Sequence, residues 1–150
     1  MGIRESLAQT WFFEGLPETD LDALLELGRR AAHLPGEAIV VEGEPAETFH
    51  ILLRGSVLIK MNAGEHGELV LSTLRETGEI FGWSALIEGG RSTATAECLE
   101  KSEILSFRNR DLGDLFDHNP SLGYRFMKRL ASLISRRLEN TRTQLLKEIS

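Results

Sequence analysis

The sequence contains a single cysteine, no long hydrophobic run and no recognisable secretion signal. Because Cys98 has no second thiol, no intrachain disulfide, four-thiolate iron–sulfur cluster or Cys-rich zinc site can form, and we expect it to be a small buried hydrophobe. Nowhere do about 18 consecutive apolar residues occur, so no transmembrane helix is expected. Residues 1–14 lack the apolar core of a signal peptide. The sequence therefore predicts a cytoplasmic protein with no membrane segment.

The net charge is modest, but its distribution is uneven. The 150 residues carry 17 basic and 23 acidic side chains, a net charge of −6, and 41% of the residues are hydrophobic. Residues 1–118 hold 10 basic and 21 acidic residues, a net of −11, whereas residues 119–150 hold 7 and 2, a net of +5. This length and composition suit one globular domain, and its acidic body is expected to bind nucleic acid poorly.

Helical and strand patterns divide the chain into three parts. Leu16–Arg30 has leucines at helical spacing behind a proline and acidic residues, which predicts a helix. Short apolar runs then alternate with glycine-containing turns, which is typical of a small β-barrel or jelly roll. The predicted strands are Ala38–Val41, Phe49–Leu53, Ser56–Met61, Leu69–Leu74, Ile80–Phe81, Thr93–Ala96 and Ile104–Phe107. We predict an α+β, mainly β, fold in one domain: N-terminal helices over residues 1–32, a jelly-roll barrel (a double-stranded β-helix) over 33–108 and C-terminal helices over 109–150.

The last 32 residues predict one long amphipathic helix. Asn119 is placed to cap it and Pro120 to occupy its first turn. Apolar or small residues recur at three- and four-residue steps: Phe126, Leu130, Leu133, Ile134, Leu138, Thr141 and Leu145. A helix of about 30 residues is about 45 Å long, more than the end of a small barrel covers. Its far half is expected to pair with a second copy, forming a homodimer through Phe126–Leu145, or alternatively to fold back on its own barrel.

Residues 78–94 carry the most informative chemistry. Gly82 allows a tight turn after a strand, and Ser84–Ile87 is predicted to form one short helical turn whose free N–H groups bind an anion. Arg91 is predicted to open the next strand, where its guanidinium would clamp a phosphate beside the hydroxyl of Ser92. From these residues alone two interpretations remain: an anion-binding site, or a solvated arginine at a hairpin end.

Four motifs occur in order and at the spacing of one known family. They are Phe12–Pro17, the proline- and glycine-containing segment Pro35–Ala46, the glycine turn His50–Val57, and Gly82–Ala94. Together they resemble the cyclic nucleotide-binding domain of the catabolite activator protein (Crp/Fnr) superfamily, over nearly the whole chain. The resemblance implies a regulatory, non-enzymatic domain that binds a cyclic nucleotide, with cyclic AMP as the expected ligand and no cofactor, and that signals through its C-terminal helix.

The resemblance also implies roles for individual residues. Gly82–Ala94 sits where the family has its phosphate-binding cassette, and Arg91 matches the arginine that pairs with the cyclic phosphate. Ser92 matches a position that supplies a hydroxyl in some members. Backbone N–H groups around Ser84 and Ala85 match those that cap the phosphate. Thr141 falls where the long helix reaches over the purine base.

One residue departs from the family pattern. Where members usually have Phe-Gly-Glu, this chain has Phe81-Gly82-Trp83, and the missing glutamate accepts hydrogen bonds from the ribose 2′-hydroxyl. An indole donates one hydrogen bond and accepts none, so Trp83 does not replace it. Three interpretations follow: weak binding of cyclic AMP or cyclic GMP, a different anionic ligand packed against Trp83, or a degenerate, ligand-free dimeric module that binds a protein partner, with Trp83 filling the cavity.

Other functions are not expected. A jelly roll can hold a cupin-type metal, but the four histidines are scattered, which predicts no metal site and makes His50 a strand residue with a satisfied ring. No nucleophile with a base and an orienting group is evident, so no catalytic residues are expected. The superfamily's helix-turn-helix has no counterpart after the long helix, so no direct contact with nucleic acid is expected. Four basic residues are predicted to form a solvated helix face: Arg136, Arg137, Arg142 and Lys147.

Overall fold

The computed structural model describes residues 2–87 and 90–149 as a β-sandwich flanked by helices. The helices are α1 (Ile3–Ala8), α2 (Glu18–Glu26), α3 (Asn109–His118) and α4 (Pro120–Ile149), with short 3-10 turns at Gly64–His66 and Trp83–Leu86. The strands are β1 (Arg29–His33), β2 (Ala38–Val40), β3 (Thr48–Arg54), β4 (Val57–Asn62), β5 (Glu68–Leu74), β6 (Ile80–Phe81), β7 (Thr95–Cys98) and β8 (Ser102–Arg108).

The strands form two four-stranded antiparallel sheets, in the orders β1-β8-β3-β6 and β2-β7-β4-β5. Buried side chains from both sheets form a core between them: Leu52, Val57, Leu74, Phe81, Ala96, Cys98 and Ile104. The mixed α and β jelly roll predicted from the strand and glycine pattern is therefore confirmed. Cys98 is buried, as predicted for a lone cysteine, and burial raises the pKa of its thiol.

A second core attaches the first half of α4 to the barrel. Phe126 lies edge-on to Phe12 and Phe49, at ring-centroid distances of 5.1 Å and 5.4 Å. Leu130, one turn further along the helix, is 2% exposed in the same cluster. The predicted N-cap is present, because the backbone N–H of Leu122 donates to Oδ1 of Asn119 at 3.2 Å. These contacts fix the direction in which α4 leaves the barrel.

The predicted helix over Leu16–Arg30 is wrong in its last part. The helix ends at Glu26, and Arg29–His33 is strand β1, paired with β8 through Ala31 and Ile104. Gly28 lies so close to the barrel that a Cβ there would be 2.7 Å from Cδ1 of Leu105. Nothing in the Arg-Arg-Ala-Ala-His sequence favours a strand, so the pairing with β8 determines it.

Candidate functional site

Strand β6 leads into the candidate site through Gly82, which has a left-handed backbone conformation. Gly82 has φ +78° and begins the 3-10 turn Trp83–Leu86, as the sequence predicted within one residue. A Cβ on Gly82 would lie 2.9 Å from Cδ2 of His50 and 3.0 Å from the carbonyl oxygen of Thr48. Both the φ angle and the space therefore require glycine at this position. In the described part of the chain, the backbone N–H groups of Trp83 and Ser84 have no acceptor.

The chain returns past the turn through Gly90 and Ser92. A Cβ on Gly90 would be 2.2 Å from the carbonyl oxygen of Ser84, so this glycine packs directly against the turn. The backbone N–H of Ser92 donates to Glu44 at 2.9 Å, and its carbonyl accepts from Gly43 at 2.8 Å. Ser92 is 8% exposed, and its hydroxyl has no hydrogen-bond partner among the described residues. These hydrogen bonds hold Ser92 against the loop between β2 and β3.

Two connected clefts lie between these segments and α4. The inner cleft, about 60 Å³, is lined by residues that include Phe81, Gly82, Trp83, Ser84 and Ser92. The outer cleft, about 700 Å³, lies between α4 and strands β4 and β5, and Thr141 lines it. The two clefts share Ile59, Trp83, Thr93, Ala94 and Arg137. Small-molecule pockets measure roughly 300–1,000 Å³, so the outer cleft is large enough for a ligand and the inner one only for a small group.

Arg137 lines both clefts, and sequence reasoning did not place it there. It was predicted on a solvated face, but its guanidinium is half-buried, donates to the carbonyl oxygen of Ile80 at 2.7 Å and lies 4.6 Å from the centroid of the Trp83 ring. Burial lowers the pKa of Arg137 and the charge of Glu79 opposes that shift; a guanidinium stays protonated at neutral pH. The signal was present: Arg137 follows Leu130 by seven residues and Leu133 by four, on the buried face of α4.

His50 supports the floor of the site from β3. Its ring stacks on Phe81 with centroids 5.0 Å apart, and Nδ1 is 2.8 Å from Oγ of Ser106. Burial lowers the pKa of His50 to about 4, so the ring is neutral at neutral pH. The prediction of a strand histidine with a satisfied ring is confirmed.

Comparison with known proteins decides the family. The model of the cyclic nucleotide-binding domain family matches residues 32–119, more than half of the chain. The chain belongs to the cyclic nucleotide-binding domain family. Among relatives, the cyclic AMP receptor protein of Thermus thermophilus is 27% identical over 134 residues, covering 89% of this chain and 59% of the relative. A CRP-like cAMP-activated global transcriptional regulator of Mycobacterium tuberculosis is 25% identical over 141 residues, covering 94% and 61%.

Solved structures show the same fold. A cyclic nucleotide-binding domain from Methylobacillus flagellatus has a TM-score of 0.86 at 19% identity, covering 97% of this chain and 82% of that one. The Thermus thermophilus catabolite activator protein has a TM-score of 0.74 at 27% identity, covering 89% and 61%. This chain spans about three fifths of the length of these curated relatives, which are regulators of the Crp/Fnr type.

In this cyclic nucleotide-binding domain the sequence-predicted site residues fall into three groups. Gly82, Trp83, Ser84 and Ser92 line the inner cleft, and Thr141 lines the outer cleft together with Trp83. Ala85 is 4% exposed and lines neither cleft. The structure therefore brings most of the predicted residues to one place.

Arg91 lies apart from the other site residues. Its Nη1 donates to the carbonyl oxygen of Gly43 at 2.9 Å, its side chain is exposed, and it lines neither cleft. Arg91 was predicted to open a strand, but it forms an isolated bridge with Pro45, and strand β7 begins at Thr95. The neighbouring Gly90 and the β2–β3 loop hold this stretch outside the sheet ladder.

Among residues 2–87 and 90–149, no group of three or more His, Cys, Asp or Glu side chains is placed to hold a metal ion. The same described ranges contain no helix with the length and apolar character needed to cross a bilayer.

Proposed function

We propose that this domain is a regulatory sensor that binds a cyclic nucleotide, with the phosphate in the inner cleft and the base in the outer cleft. The observation that carries the proposal is that a small recess, lined in part by the hydroxyls of Ser84 and Ser92 and by the guanidinium of Arg137, opens into a recess of ligand size. Cyclic AMP is the expected ligand, because one relative is named a cyclic AMP receptor protein and another a cAMP-activated regulator. The domain acts by binding and not by catalysis.

Local donors support an anionic ligand. The Arg137 guanidinium lies at the junction of the clefts, and the Ser92 hydroxyl lacks a partner among the described residues. Residues 1–118 carry a net charge of −11, which repels an anion at long range. Charge-assisted hydrogen bonds in a half-buried cleft must overcome that repulsion, and these donors supply them.

Arg91 reaches the phosphate in this proposal by leaving Gly43. Its present acceptor is a neutral carbonyl, and a hydrogen bond to an ionised oxygen is roughly twice as strong. The next residue, Ser92, already lines the inner cleft, so the backbone holds Arg91 at its rim. Binding would therefore exchange the contact with Gly43 for one with the phosphate and close the cleft.

Trp83 lowers the affinity for the ribose in this proposal. Among the residues that the structure describes, the lining of the two clefts contains no carboxylate, so a ribose hydroxyl meets no charged acceptor from them. A hydrogen bond to a charged group contributes roughly 1.5–3 kcal/mol, or about 10- to 150-fold in affinity. The variant Trp83→Glu is expected to bind cyclic nucleotide at least about tenfold more tightly, because it supplies that acceptor beside Arg137. No gain would mean that the ribose lies elsewhere.

The α4 helix is the proposed route of the signal. Arg137 and Thr141 both line the outer cleft from α4, so a ligand there would contact the helix directly. Ligand binding shifts the helix only if its affinity differs between two helix positions. We propose that the shift is passed to a second copy of the chain or to another protein partner.

The predicted dimer surface Phe126–Leu145 needs correction, because Phe126 and Leu130 are buried in the chain's own core. An exposed apolar stripe on the second half of α4 supports homodimerisation instead. Leu138, Leu145 and Ile149 are 49%, 59% and 73% exposed, at spacings of seven and four residues. A stripe of this spacing suits pairing with a second α4. Sedimentation equilibrium should give a dimer for the wild type and a monomer for Leu138→Glu/Leu145→Glu, while Thr143→Glu, away from the stripe, stays dimeric. A wild type that remains at 16.8 kDa at every concentration would contradict the pairing.

Calorimetric titration with cyclic AMP and with cyclic GMP tests the binding proposal. We expect saturable heat for the wild type, at least about tenfold weaker binding for Arg137→Gln, and no change for Arg142→Gln, an exposed arginine on the same helix. If neither nucleotide gives heat or a thermal shift at millimolar concentration, the domain is a ligand-free interaction module instead.

A further inference from the structure

A different face of α4 forms a basic groove with the N-terminal part of the chain. The groove measures about 710 Å³, and we define it by six side chains that line it: Trp11, Tyr124, Arg125, Lys128, Arg129 and Arg136. It shares no lining residue with the two nucleotide clefts. We propose that this basic groove binds an acidic, extended peptide segment of a partner protein.

Among the residues that the structure describes, no carboxylate serves as a counter-ion to the cations of the basic groove. In the described part of the chain, none of the four forms an ion pair with a carboxylate, although Glu14 also lines the groove. Arg129 donates to the main-chain carbonyls of Trp11 and Glu14, and Arg125 donates to that of Gly15 at 3.5 Å. These bonds to neutral acceptors hold the guanidinium groups in place without neutralising them, which lowers the entropic cost of binding an anion.

The aromatic rings of the groove are already covered by cations. Arg136 lies 3.9 Å and Arg129 5.4 Å from the centroid of the Trp11 ring, and Lys128 lies 5.7 Å from that of Tyr124. Proteins that bind single-stranded nucleic acid stack bases on free aromatic faces. Since these faces carry guanidinium and ammonium groups instead, the groove favours carboxylates over bases.

The spacing of the cations favours an extended ligand. Arg125 and Arg136 are eleven residues apart on one helix face, which is about 16 Å at 1.5 Å per residue. That length matches about five residues of extended peptide, whose alternate side chains point to the same side. A single phosphate or carboxylate contacts only one end. Arginines bind carboxylates through two parallel hydrogen bonds, which suits acidic side chains along such a segment.

Fluorescence anisotropy with a fluorescein-labelled hexaglutamate peptide tests the proposal on the full chain. We expect saturable binding in about 0.02 M salt that weakens in about 0.15 M salt, because exposed charges are screened. Lys128→Gln/Arg136→Gln is expected to bind at least about tenfold more weakly. Arg110→Gln/Arg142→Gln, which removes two exposed cations outside the groove, is the matched control and should bind as the wild type does.

Four results would overturn the proposal. They are equal binding of a hexaglutamine peptide, unchanged hexaglutamate binding by the folded double variant, tighter binding of a six-nucleotide oligothymidylate, and equal competition by tripolyphosphate alone. Sedimentation of the double variant supplies a further check, because conversion of a wild-type dimer to monomer would assign the groove to contact between copies. Circular dichroism melts confirm that each variant is folded.

Discussion

The two ends of the segment from β6 to Ser92 are held to very different degrees. At the β6 end, Ile80 and Phe81 are 1% and 2% exposed, and Gly82 lies against the main chain of Thr48. At the other end, the Arg91 side chain is exposed, and its one hydrogen bond to the described residues is to the loop carbonyl of Gly43. In the proposed site, the anchored end would fix the position of the phosphate, and the open end would supply Arg91, which would exchange its contact with Gly43 for one with the phosphate.

Arg137 connects α4 to the anchored end and not to the open one. Its guanidinium donates to Ile80 and covers Trp83, both adjacent to the Gly82 turn. A displacement of the Arg137 side chain would therefore first change contacts at the anchored end of the segment. If burial determines stability here, substitutions at the anchored end should cost more unfolding free energy than substitutions at the open end.

The largest expected effect is that of Gly82→Ala at the anchored end. The new Cβ would be strained at φ +78° and would press on His50 and Thr48, so we expect a loss of about 2–3 kcal/mol in the free energy of unfolding. Gly43→Ala, in the β2–β3 loop that contacts the open end, is the control: its φ is +86° and nothing lies within 4 Å of a Cβ there, so only strain of about 1 kcal/mol applies. Urea denaturation measures both, and equal losses would remove the distinction between the ends.

His50 makes the anchored end sensitive to acid. Its pKa is about 4 in the folded state and about 6.5 when unfolded, so the unfolded chain takes up the proton first and stability falls as the pH drops from about 6.5 to about 4. We expect about 2 kcal/mol less stability at pH 5 than at pH 7 from this residue. His50→Asn should lose that part of the slope, while His66→Asn, at an exposed site, should keep it. Identical pH profiles for all three proteins would contradict the assignment.

Arg137→Gln is expected to cost about 1–2 kcal/mol of unfolding free energy. The variant loses the contact with the Trp83 ring and a hydrogen bond to Ile80, which together contribute roughly that much. Trp83 fluorescence, measured in a Trp11→Phe background, should also change because the cation leaves the indole. Stability equal to the wild type with unaltered fluorescence would show that Arg137 is not packed on Trp83 in solution.

The barrel could be predicted from sequence because its signals are local. Gly82 and Gly90 stand where positive φ or close packing requires glycine, and Ile80–Phe81 was located to the residue. Strand β1 was not predictable, because its residues have no strand preference and only pairing with β8 makes them extended. Local patterns identify elements whose own residues favour them, and miss those that tertiary pairing imposes.

The residues of the candidate site also divide into those that local sequence predicted and those that depend on tertiary packing. Ser84 and Ser92 were found because they belong to the recognised cassette, and both line the inner cleft. Arg137 was missed because it lies 46 residues beyond Arg91 in the chain, and its role depends on how α4 crosses Trp83. The sequence did place Arg137 on the apolar face of the predicted helix. Because Arg136 stands next to it, both were assigned to the solvated face.

The smallest expected effect on stability is that of Arg91→Gln at the open end. Water can replace the exposed hydrogen bond to Gly43, so the free energy of unfolding should change by less than about 0.5 kcal/mol. The same variant should bind cyclic nucleotide at least about tenfold more weakly in calorimetric titration, because a phosphate loses its charge-assisted partner. A stability loss as large as that of Arg137→Gln would show that this end is also anchored. Unchanged affinity would leave Arg137 as the cation that holds the phosphate, and the rigid end alone would then form the site.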